Sequence, residues 1–367
     1  MIGLALSGGG SRAMAFHLGC LRALNDFGLL DRIGVLSTIS GGSVIGAYFA
    51  YSSDKSFAEF DSDICHFLRK GFHWSIALEL AKPENLIRYG ASFCKLKMTS
   101  LLTQFQGGEP KTHRCPSRTD MFHKVLQRDV FSNIRMSSPR RRNIDIVIGA
   151  CELRKGLAFR FSNKKSGDWR HGEMVDWDVE VGFAVAASAA YPLYLPPFDR
   201  TWKFRKGDKE TDHRVFISDG GIYDNLGLQV LEPGRDPNVS VHTFPCEYLI
   251  SCNAGQGQED GGSIVPFGFF PRVIRSFDIV HRRVQDSTMH RLHQLKQYGR
   301  IKGFVLPYLG QQDSSLPWKP YNLVPRSDVV KYPTDFAPMS SQWIEKLASR
   351  GEQLTRVLVD YYLSGVL

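Results

Sequence analysis

The sequence contains no long apolar run of the kind that crosses a membrane. Nowhere do about 18 apolar residues follow one another, which is the length that a membrane-spanning helix needs. The apolar stretch after Met1 is short and is not preceded by basic residues, so it does not resemble a secretory signal. Fixed-period repeats and low-complexity tracts are also missing. We therefore expect a soluble cytoplasmic protein whose association with a membrane is peripheral.

The cysteines of this chain form no recognisable motif. The seven cysteines are odd in number, scattered, and include no Cys-x-x-Cys pair. This pattern argues against a disulfide framework and a zinc ribbon, and it indicates a reducing compartment. The nearest approach to a metal-ligand pair is His113 with Cys115, but no second pair stands at zinc spacing, so we interpret it as part of a surface loop.

Positive charge is the main compositional bias that is present. The net charge is +9, and basic residues gather at Arg140-Arg141-Arg142 and between His281 and Lys296. Such runs are either solvated faces or surfaces for an anionic partner, and the sequence leaves both interpretations open. Because the chain has no nucleic-acid-binding motif, we expect no nucleic-acid partner and rank a lipid surface above DNA or RNA.

The order of the apolar runs predicts an α/β fold. A strand at residues 2–6 is followed by a glycine turn and by a helix at about 11–26 with apolar residues at helical spacing. A second strand at 35–39 ends at Ser40, and a helix follows at 44–51. This alternation is the start of a parallel α/β sheet. Further strands are predicted at 145–150, 157–161, 215–218 and 248–252, and further helices at 181–190 and 340–362.

Two regions depart from this alternation. Residues 52–140 are helix-prone, aromatic and basic without a strand pattern, and we interpret them as a helical insertion that covers the site. A glycine-rich linker begins at about residue 255. A chain of 367 residues suffices for one large domain with insertions or for two smaller domains. We predict a main α/β domain over 1–255, which contains the insertion, and a C-terminal extension over 256–367 that packs on it.

The first motif with chemical meaning is Gly8-Gly9-Gly10-Ser11-Arg12, which follows the first strand and opens the first helix. Glycines leave the backbone N–H groups unshielded, and a helix N-terminus adds positive potential. Such a loop can stabilise the oxyanion of an acyl-transfer reaction, where one donor is worth roughly 10²–10³ in rate. It can equally hold a phosphate, because its spacing loosely resembles a dinucleotide fingerprint. Arg12 can brace the loop or add charge.

The second motif is Thr38-Ile39-Ser40-Gly41-Gly42, which resembles the nucleophile elbow Gly-x-Ser-x-Gly. Small residues flank an elbow serine because its backbone is strained and the helix passes close to the strand. Ser40 can also be a simple helix N-cap, although this role does not explain the glycines that follow. Ser43, one turn into the helix, is the rival hydroxyl.

The third motif is Asp219-Gly220-Gly221 at the end of a predicted strand. A serine needs a base to become a nucleophile, and none of the eleven histidines stands at a strand end; His213 precedes its strand among charged residues. Asp219 is better placed to take the proton, although an Asp-Gly-Gly sequence alone is typical of a turn. The ordinary pKa of an aspartate, about 3.9, makes it a poor base, so positioning and electrostatic stabilisation would carry most of the mechanism.

Together, the three motifs resemble those of the patatin-like phospholipase family. The segment from Arg12 to Leu21 is similar to the family's first helix, including a histidine at position 17, and Ala187-Ser188-Ala189-Ala190-Tyr191-Pro192 with Pro196-Pro197-Phe198 resembles its Ala-Ser-x-Ala-x-Pro block. The similarity covers about residues 2–235, and Tyr332-Pro333-Thr334-Asp335-Phe336 resembles a segment near the end of some bacterial members. The chain departs from the family pattern at Thr38 and Ala13, where glycine is common.

The resemblance implies a lipid acyl hydrolase of phospholipase A or lysophospholipase type that needs no metal, calcium or other cofactor. Its fold would be a three-layer α/β sandwich, with a parallel-rich central sheet and helices on both faces. The substrate would be a phospholipid or another acyl lipid at a membrane surface; a regulatory partner or small-molecule activator is left open. Carried over position by position, the nucleophile is Ser40, the proton acceptor is Asp219, the oxyanion hole is Gly8, Gly9 and Gly10, and the supporting residues are Arg12, Gly42, Gly220 and Gly221.

Three other functions remain open from the sequence. The same dyad can act on a neutral lipid, a small ester or a thioester. The glycine loop can belong to a nucleotide-binding protein, which would bind nucleotide and leave Ser40 unreactive. A non-catalytic scaffold is disfavoured because both the serine and the aspartate are present.

Overall fold

The computed structural model describes residues 1–52, 55–106, 113, 116–141, 143–257 and 267–365. The strands are β1 (Ile2–Leu6), β2 (Ile33–Ile39), β3 (Asp145–Glu152), β4 (Leu157–Ser162), β5 (Gly167–Asp168), β6 (Gly172–Met174), β7 (Phe198–Lys206), β8 (Lys209–Asp219), β9 (Tyr248–Cys252) and β10 (Gly303–Val305). The α-helices are α1 (Gly10–Asp26), α2 (Gly41–Tyr51), α3 (Phe57–Lys70), α4 (His73–Ala81), α5 (Pro83–Gln106), α6 (Arg118–Asp129), α7 (Val181–Ser188), α8 (Gly221–Asp224), α9 (Phe269–Gln297), α10 (Arg326–Val329) and α11 (Ser341–Tyr362).

One part of the sheet is parallel, as the sequence predicts. Strands β10, β9, β1, β2 and β3 lie side by side in this order, and each neighbouring pair is parallel. All five residues of β1 are buried, which is the pattern of a strand covered on both faces. The carboxyl ends of β1 and β2 therefore meet at the same edge, where the first two motifs begin.

The prediction of a parallel-rich sheet is nevertheless wrong. Strands β3 to β8 follow one another through antiparallel pairings, and β8 pairs back onto β3, so these six strands close into an antiparallel barrel. The fold is thus a mixed α/β fold in which a parallel sheet shares β3 with a closed barrel. Asp219, at the end of β8, pairs with Ala150 of β3.

Short connections explain the antiparallel barrel. Residues 153–156 separate β3 from β4, and Gly207 and Asp208 separate β7 from β8. A parallel connection needs a crossover of about a dozen residues or more, so both pairs can only form hairpins. The outer half of the second hairpin is polar and exposed, which is why its apolar pattern predicts only the last part of β8.

A close contact with α11 fixes the position of α1, the helix that begins at the glycine loop. A Cβ on Gly19 of α1 would lie 1.7 Å from the carbonyl oxygen of Ala348, and a Cβ on Gly351 of α11 would lie 2.1 Å from that of Phe16. The two helices therefore approach through glycine on both sides, and larger residues there would separate them. The predicted helices at 11–26, 44–51, 181–190 and 340–362 correspond to α1, α2, α7 and α11.

Residues 52–140 contain helices α3 to α6 and no strand within their described part. The division of the chain at residue 255, and the covering role of 52–140, stay predictions. Across the described ranges, no helix combines the length and the apolar character needed to cross a bilayer.

Candidate active site

Ser40 lies in a sharp turn between β2 and α2. Its φ of 52° and ψ of −120° place a non-glycine residue in a sparsely populated region, which costs about 1–3 kcal/mol and persists only where the surroundings enforce it. The residue is 7% exposed and therefore buried. This is the backbone geometry of a serine held out from the end of a strand.

The unusual Thr38 is accommodated by a glycine elsewhere. Thr38 is fully buried, and a Cβ on Gly46 of α2 would lie 2.4 Å from its Cγ2 methyl group. Because Gly46 has no side chain, α2 packs closely over the threonine where the family pattern has glycine on the strand. The departure from that pattern therefore leaves the turn at Ser40 intact.

Asp219 contacts the serine directly. Ser40 Oγ donates a hydrogen bond to Oδ2 of Asp219 at 2.8 Å, and the amide of Gly221 donates to Oδ1 at 2.7 Å. Asp219 is 3% exposed, and burial raises its pKa to about 7, against the opposing effect of these two hydrogen bonds. The carboxylate is therefore a much stronger base than the ordinary aspartate assumed from the sequence.

The glycine loop contacts the serine turn backbone to backbone. Gly9 and Gly10 have φ of 142° and 57°, and within the described part of the chain their amides have no hydrogen-bond acceptor. The amide of Gly8, in contrast, donates to the carbonyl oxygen of Asn225 at 3.0 Å. A Cβ on Gly41 would lie 2.2 Å from the carbonyl oxygen of Gly10, so the first turns of α1 and α2 meet here. Two helix N-termini thus bring positive potential to one place.

The predicted supporting glycines permit close backbone packing around the dyad. A Cβ on Gly42 would lie 2.4 Å from the carbonyl oxygen of Leu6 at the end of β1. A Cβ on Gly220 would lie 2.3 Å from the carbonyl oxygen of Gly149 on β3. Any larger residue at either position would push the serine turn or the aspartate loop away from the sheet.

Arg12 braces the glycine loop. It is 5% exposed, and it donates from Nε to the carbonyl oxygen of Ala254 at 3.1 Å and from Nη1 to that of Tyr332 at 2.8 Å. The amide of Ser11 donates to the carbonyl oxygen of Asp335 at 2.6 Å. The segment 332–336, noted in the sequence only for its resemblance, is therefore packed across the start of α1.

Ser188 at the end of α7 holds the serine turn. In the sequence, the only signal for this residue is its place in the Ala-Ser-x-Ala-x-Pro block. Its Oγ accepts the amide of Ser40 at 2.9 Å, donates to the carbonyl oxygen of Gly149 at 2.6 Å, and lies 2.9 Å from Oγ of Ser43. Its own carbonyl accepts the amide of Gly220 at 3.1 Å. One residue therefore fixes both halves of the dyad. Ser43, the rival hydroxyl, bonds to Ser188.

Asn225 is a second residue that motif spacing did not single out. A Cβ on Gly8 would lie 2.4 Å from Oδ1 of Asn225, and a Cβ on Gly221 would lie 2.7 Å from the same atom. The side-chain amide therefore fills the space between the glycine loop and the aspartate loop. It keeps the two loops at a fixed separation.

Neither His17 nor His213 is hydrogen-bonded to Ser40 or Asp219 in the described part of the chain. His17 is fully buried in α1 without a hydrogen-bond partner for either ring nitrogen among the described residues, and burial lowers its pKa to about 3, so it is neutral. His213 lies within β8, where its ring contacts His171 at 4.7 Å between centroids.

No metal cluster is found in the described ranges. No group of three or more His, Cys, Asp or Glu side chains in these ranges is arranged to hold a metal ion. His113 Nδ1 lies 3.0 Å from Oδ1 of Asp199, and Cys115 is outside the described residues.

The family model described as "Patatin-like phospholipase" matches residues 4–231, more than half of the 367 residues. The chain belongs to the patatin-like phospholipase family. The matched range includes all three motifs and Ser188. The segment 332–336 lies outside it, although it packs on the family's glycine loop. No curated protein matches this family member with significance.

Solved structures of similar fold include a human phospholipase. Human GIVD cytosolic phospholipase A2 superimposes with a TM-score of 0.56 at 14% identity. The match covers 97% of this patatin-like chain and 58% of the human chain. The same human protein in complex with methyl γ-linolenyl fluorophosphonate inhibitor and terbium chloride gives a TM-score of 0.53 at 13% identity, with 97% and 57% of the two chains covered. The chain thus spans less than two thirds of these relatives' length, and at this identity the similarity is one of fold.

Proposed function

We propose that the protein is a lipid acyl hydrolase that cleaves the fatty acyl esters of membrane phospholipids through a dyad of Ser40 and Asp219. The observation that carries this proposal is the 2.8 Å hydrogen bond from Ser40 Oγ to Asp219 Oδ2 at the meeting point of two helix N-termini. Family membership supports lipid esters as the substrate class.

The reaction has two steps. Ser40 Oγ attacks the ester carbonyl carbon while its proton passes to Asp219, and the C–O bond to the lysolipid breaks as Asp219 returns that proton to the leaving oxygen. Water then attacks the acyl-enzyme, with Asp219 accepting its proton and Ser40 Oγ leaving. The proton on Asp219 returns to Ser40, and the fatty acid is released.

The oxyanion of each step needs donors close to Ser40. The amides of Gly9 and Gly10 are our candidates, since the amide of Gly8 is already bonded to Asn225. The amide of Gly41, directly after the nucleophile, is a further candidate because its backbone contacts Gly10. Arg12 then stabilises the loop and does not contact substrate.

The glycine loop is a poor phosphate cradle for the nucleotide-binding alternative. The amide of Ser11 is bonded to Asp335, and a Cβ on Gly10 would lie 2.3 Å from the carbonyl oxygen of Asp335. The segment 332–336 thus takes up the amide of Ser11 at the N-terminus of α1 and leaves the amides of Gly9 and Gly10, which are fewer donors than a phosphate cradle uses. This observation favours the hydrolase over the nucleotide-binding protein.

A substrate panel tests the proposed function. Purified protein is incubated with phospholipid vesicles, a triacylglycerol emulsion, an acyl thioester and a short-chain nitrophenyl ester, and released acid is measured. We expect the phospholipid to be cleaved fastest, with slower cleavage of the soluble ester. If only the thioester or only the triacylglycerol is cleaved, that compound and not phospholipid is the substrate class. Nucleotide binding without any hydrolysis would refute the dyad.

Ser188 is predicted to position the nucleophile. Ser188→Ala removes the acceptor of the Ser40 amide and leaves this buried N–H unpaired, a cost of about 1–3 kcal/mol. We expect kcat on the soluble ester to fall by about tenfold or more, while KM changes little because Ser188 does not contact the substrate. Steady-state kinetics measure both constants.

Ser218→Ala is the matched control for Ser188→Ala. Ser218 is equally buried next to Asp219, but its Oγ donates to the carbonyl oxygen of Ala190 at 2.8 Å and does not bond Ser40. We expect a similar loss of stability with kcat nearly unchanged. Equal losses of kcat in the two variants would mean that Ser188 acts only through general stability.

A further inference from the structure

We propose that the first half of α9 docks the protein on an anionic lipid bilayer. This inference rests on the proposed function, because a phospholipid substrate must be reached from the bilayer surface. We define the docking face as the apolar side chains at the start of this helix and just before it. Its members are Phe267, Phe269, Phe270, Val273, Ile274 and Phe277.

The docking face is exposed to solvent. Phe267, Phe269 and Phe270 are 85%, 66% and 75% exposed. The buried residues of this 29-residue helix, Leu292 and Leu295, both lie near its other end. The helix is thus held against the protein from about His281 onward, while its first turns are exposed. A contiguous exposed group of this size is typical of an interaction site in a soluble protein.

The pattern of residues along α9 fits a bilayer surface. At 100° per residue, Phe269, Val273 and Phe277 fall on one side of the helix and continue into Val280 and Val284. Of the arginines in the same stretch, Arg272, Arg275 and Arg282 fall on the opposite half, and Arg283 lies at the border of the apolar side. An apolar face that enters the acyl region with arginines at the phosphates is the arrangement of an interfacial helix.

Charge complementarity favours a lipid surface over a protein groove. Between Phe267 and Val284 the four arginines are accompanied by one acidic residue, Asp278. The other basic run of the sequence is less suited to this role, because Arg141 is stacked on Phe49 with its guanidinium 3.8 Å from the ring centroid. The basic and apolar signals therefore coincide on α9.

The helix that carries the docking face contacts the candidate site. His281 donates from Nε2 to the carbonyl oxygen of Gly221 at 3.0 Å, two residues after Asp219. The ring of Phe277 stacks on that of His281 at 5.8 Å. Phe269 lies about 18 Å further along the helix axis. A lipid bound at Phe269 would thus lie about 18 Å along the helix axis from His281, which bonds to the loop that follows Asp219.

Vesicle flotation tests the docking face without relying on catalysis. The protein carries Ser40→Ala so that it cannot degrade the vesicles, and it is mixed with vesicles of phosphatidylcholine alone or of equal parts phosphatidylcholine and phosphatidylserine. We expect binding to the anionic vesicles to exceed binding to the neutral ones and to weaken with salt. Phe269→Ser with Phe270→Ser should reduce it by about tenfold or more.

The matched control replaces another exposed aromatic pair. Tyr361 and Tyr362, at the end of α11, are about as exposed as Phe269 and Phe270, and Tyr361→Ser with Tyr362→Ser should leave vesicle binding unchanged. With Ser40 intact, the phenylalanine variant should keep its activity on the soluble ester, which shows that it is folded. Unchanged vesicle binding in that variant would overturn the proposal. Loss of soluble-ester activity in every protein, including the parent, would count against the proposed function alone.

Discussion

Replacement of Ser40 by alanine is expected to abolish hydrolysis. The variant lacks the attacking oxygen, and in serine hydrolases loss of the nucleophile removes more than about 10³-fold of the rate. The side chain of Ser40 bonds to Asp219, and its replacement leaves the surrounding backbone contacts in place. We therefore expect a folded protein with a small change in melting temperature, no release of fatty acid from phospholipid vesicles, and no labelling by a fluorophosphonate probe.

Ser43→Ala separates the nucleophile from its rival. Ser43 is fully buried, and its Oγ lies 2.9 Å from that of Ser188. Its removal weakens the support of Ser188 without removing the hydrogen bond from Ser40 to Asp219. We expect labelling to persist and activity to fall by about tenfold at most. Labelling that survives in Ser40→Ala and disappears in Ser43→Ala would reverse the assignment.

The sequence and its family resemblance predict that Ser40 and Asp219 act together, and in the structure their side chains are in contact. Each motif follows an apolar run, and the carboxyl ends of β1 and β2 share an edge, so the glycine loop and the serine turn had to meet. The partnership of Ser40 with Asp219, 179 positions apart, followed from the absence of a well-placed histidine and from the family resemblance. Their catalytic roles stay predictions that the variants above test.

Other parts of the site depend on long-range packing that spacing does not encode. In the sequence, Ser188 is one small residue in an alanine-rich helix. Its hydroxyl meets the amide of Ser40 only in the folded protein. The contact of Asp335 with Ser11 joins positions near the two ends of the chain.

The antiparallel barrel was missed for a different reason. Its short connections were visible, but β5, β6 and the polar part of the β7–β8 hairpin lack the apolar alternation that marks a strand.

The burial of Asp219 links activity to stability. A base with a pKa near 7 accepts a proton from serine more readily than an ordinary aspartate, and this basicity arises from removing the carboxylate from water. The same removal costs free energy whenever the group is ionised in the folded protein. A site of this kind is therefore expected to be less stable in its active, ionised form than in its protonated form.

Asp219→Asn should lose activity and gain stability at neutral pH. The folded pKa of about 7 lies above the ordinary value of 3.8, so between these values the folded protein binds more protons than the unfolded chain. The wild-type free energy of unfolding therefore falls as the pH rises through this interval and levels off above it. Asparagine does not titrate, so the variant should be more stable than wild type by about 2–4 kcal/mol at pH 8, with little difference near pH 4. Denaturant unfolding at several pH values measures this difference, and ester hydrolysis should fall by more than about 10³-fold.

Asp224→Asn is the control that separates the loss of activity expected for Asp219→Asn from the general effect of replacing a buried aspartate. Asp224 is also buried with a raised pKa, and its carboxylate accepts the amides of Gly227 and Gln229. An asparagine at 224 would place its amide nitrogen against one of these two N–H donors, so we do not expect the gain in stability that Asp219→Asn shows. Activity should be retained, because Asp224 does not bond Ser40. In the wild type, kcat/KM on the soluble ester should increase with pH to a plateau above about 7, as Asp219 ionises. A flat profile across that interval, or full activity in Asp219→Asn, would remove the carboxylate from the mechanism.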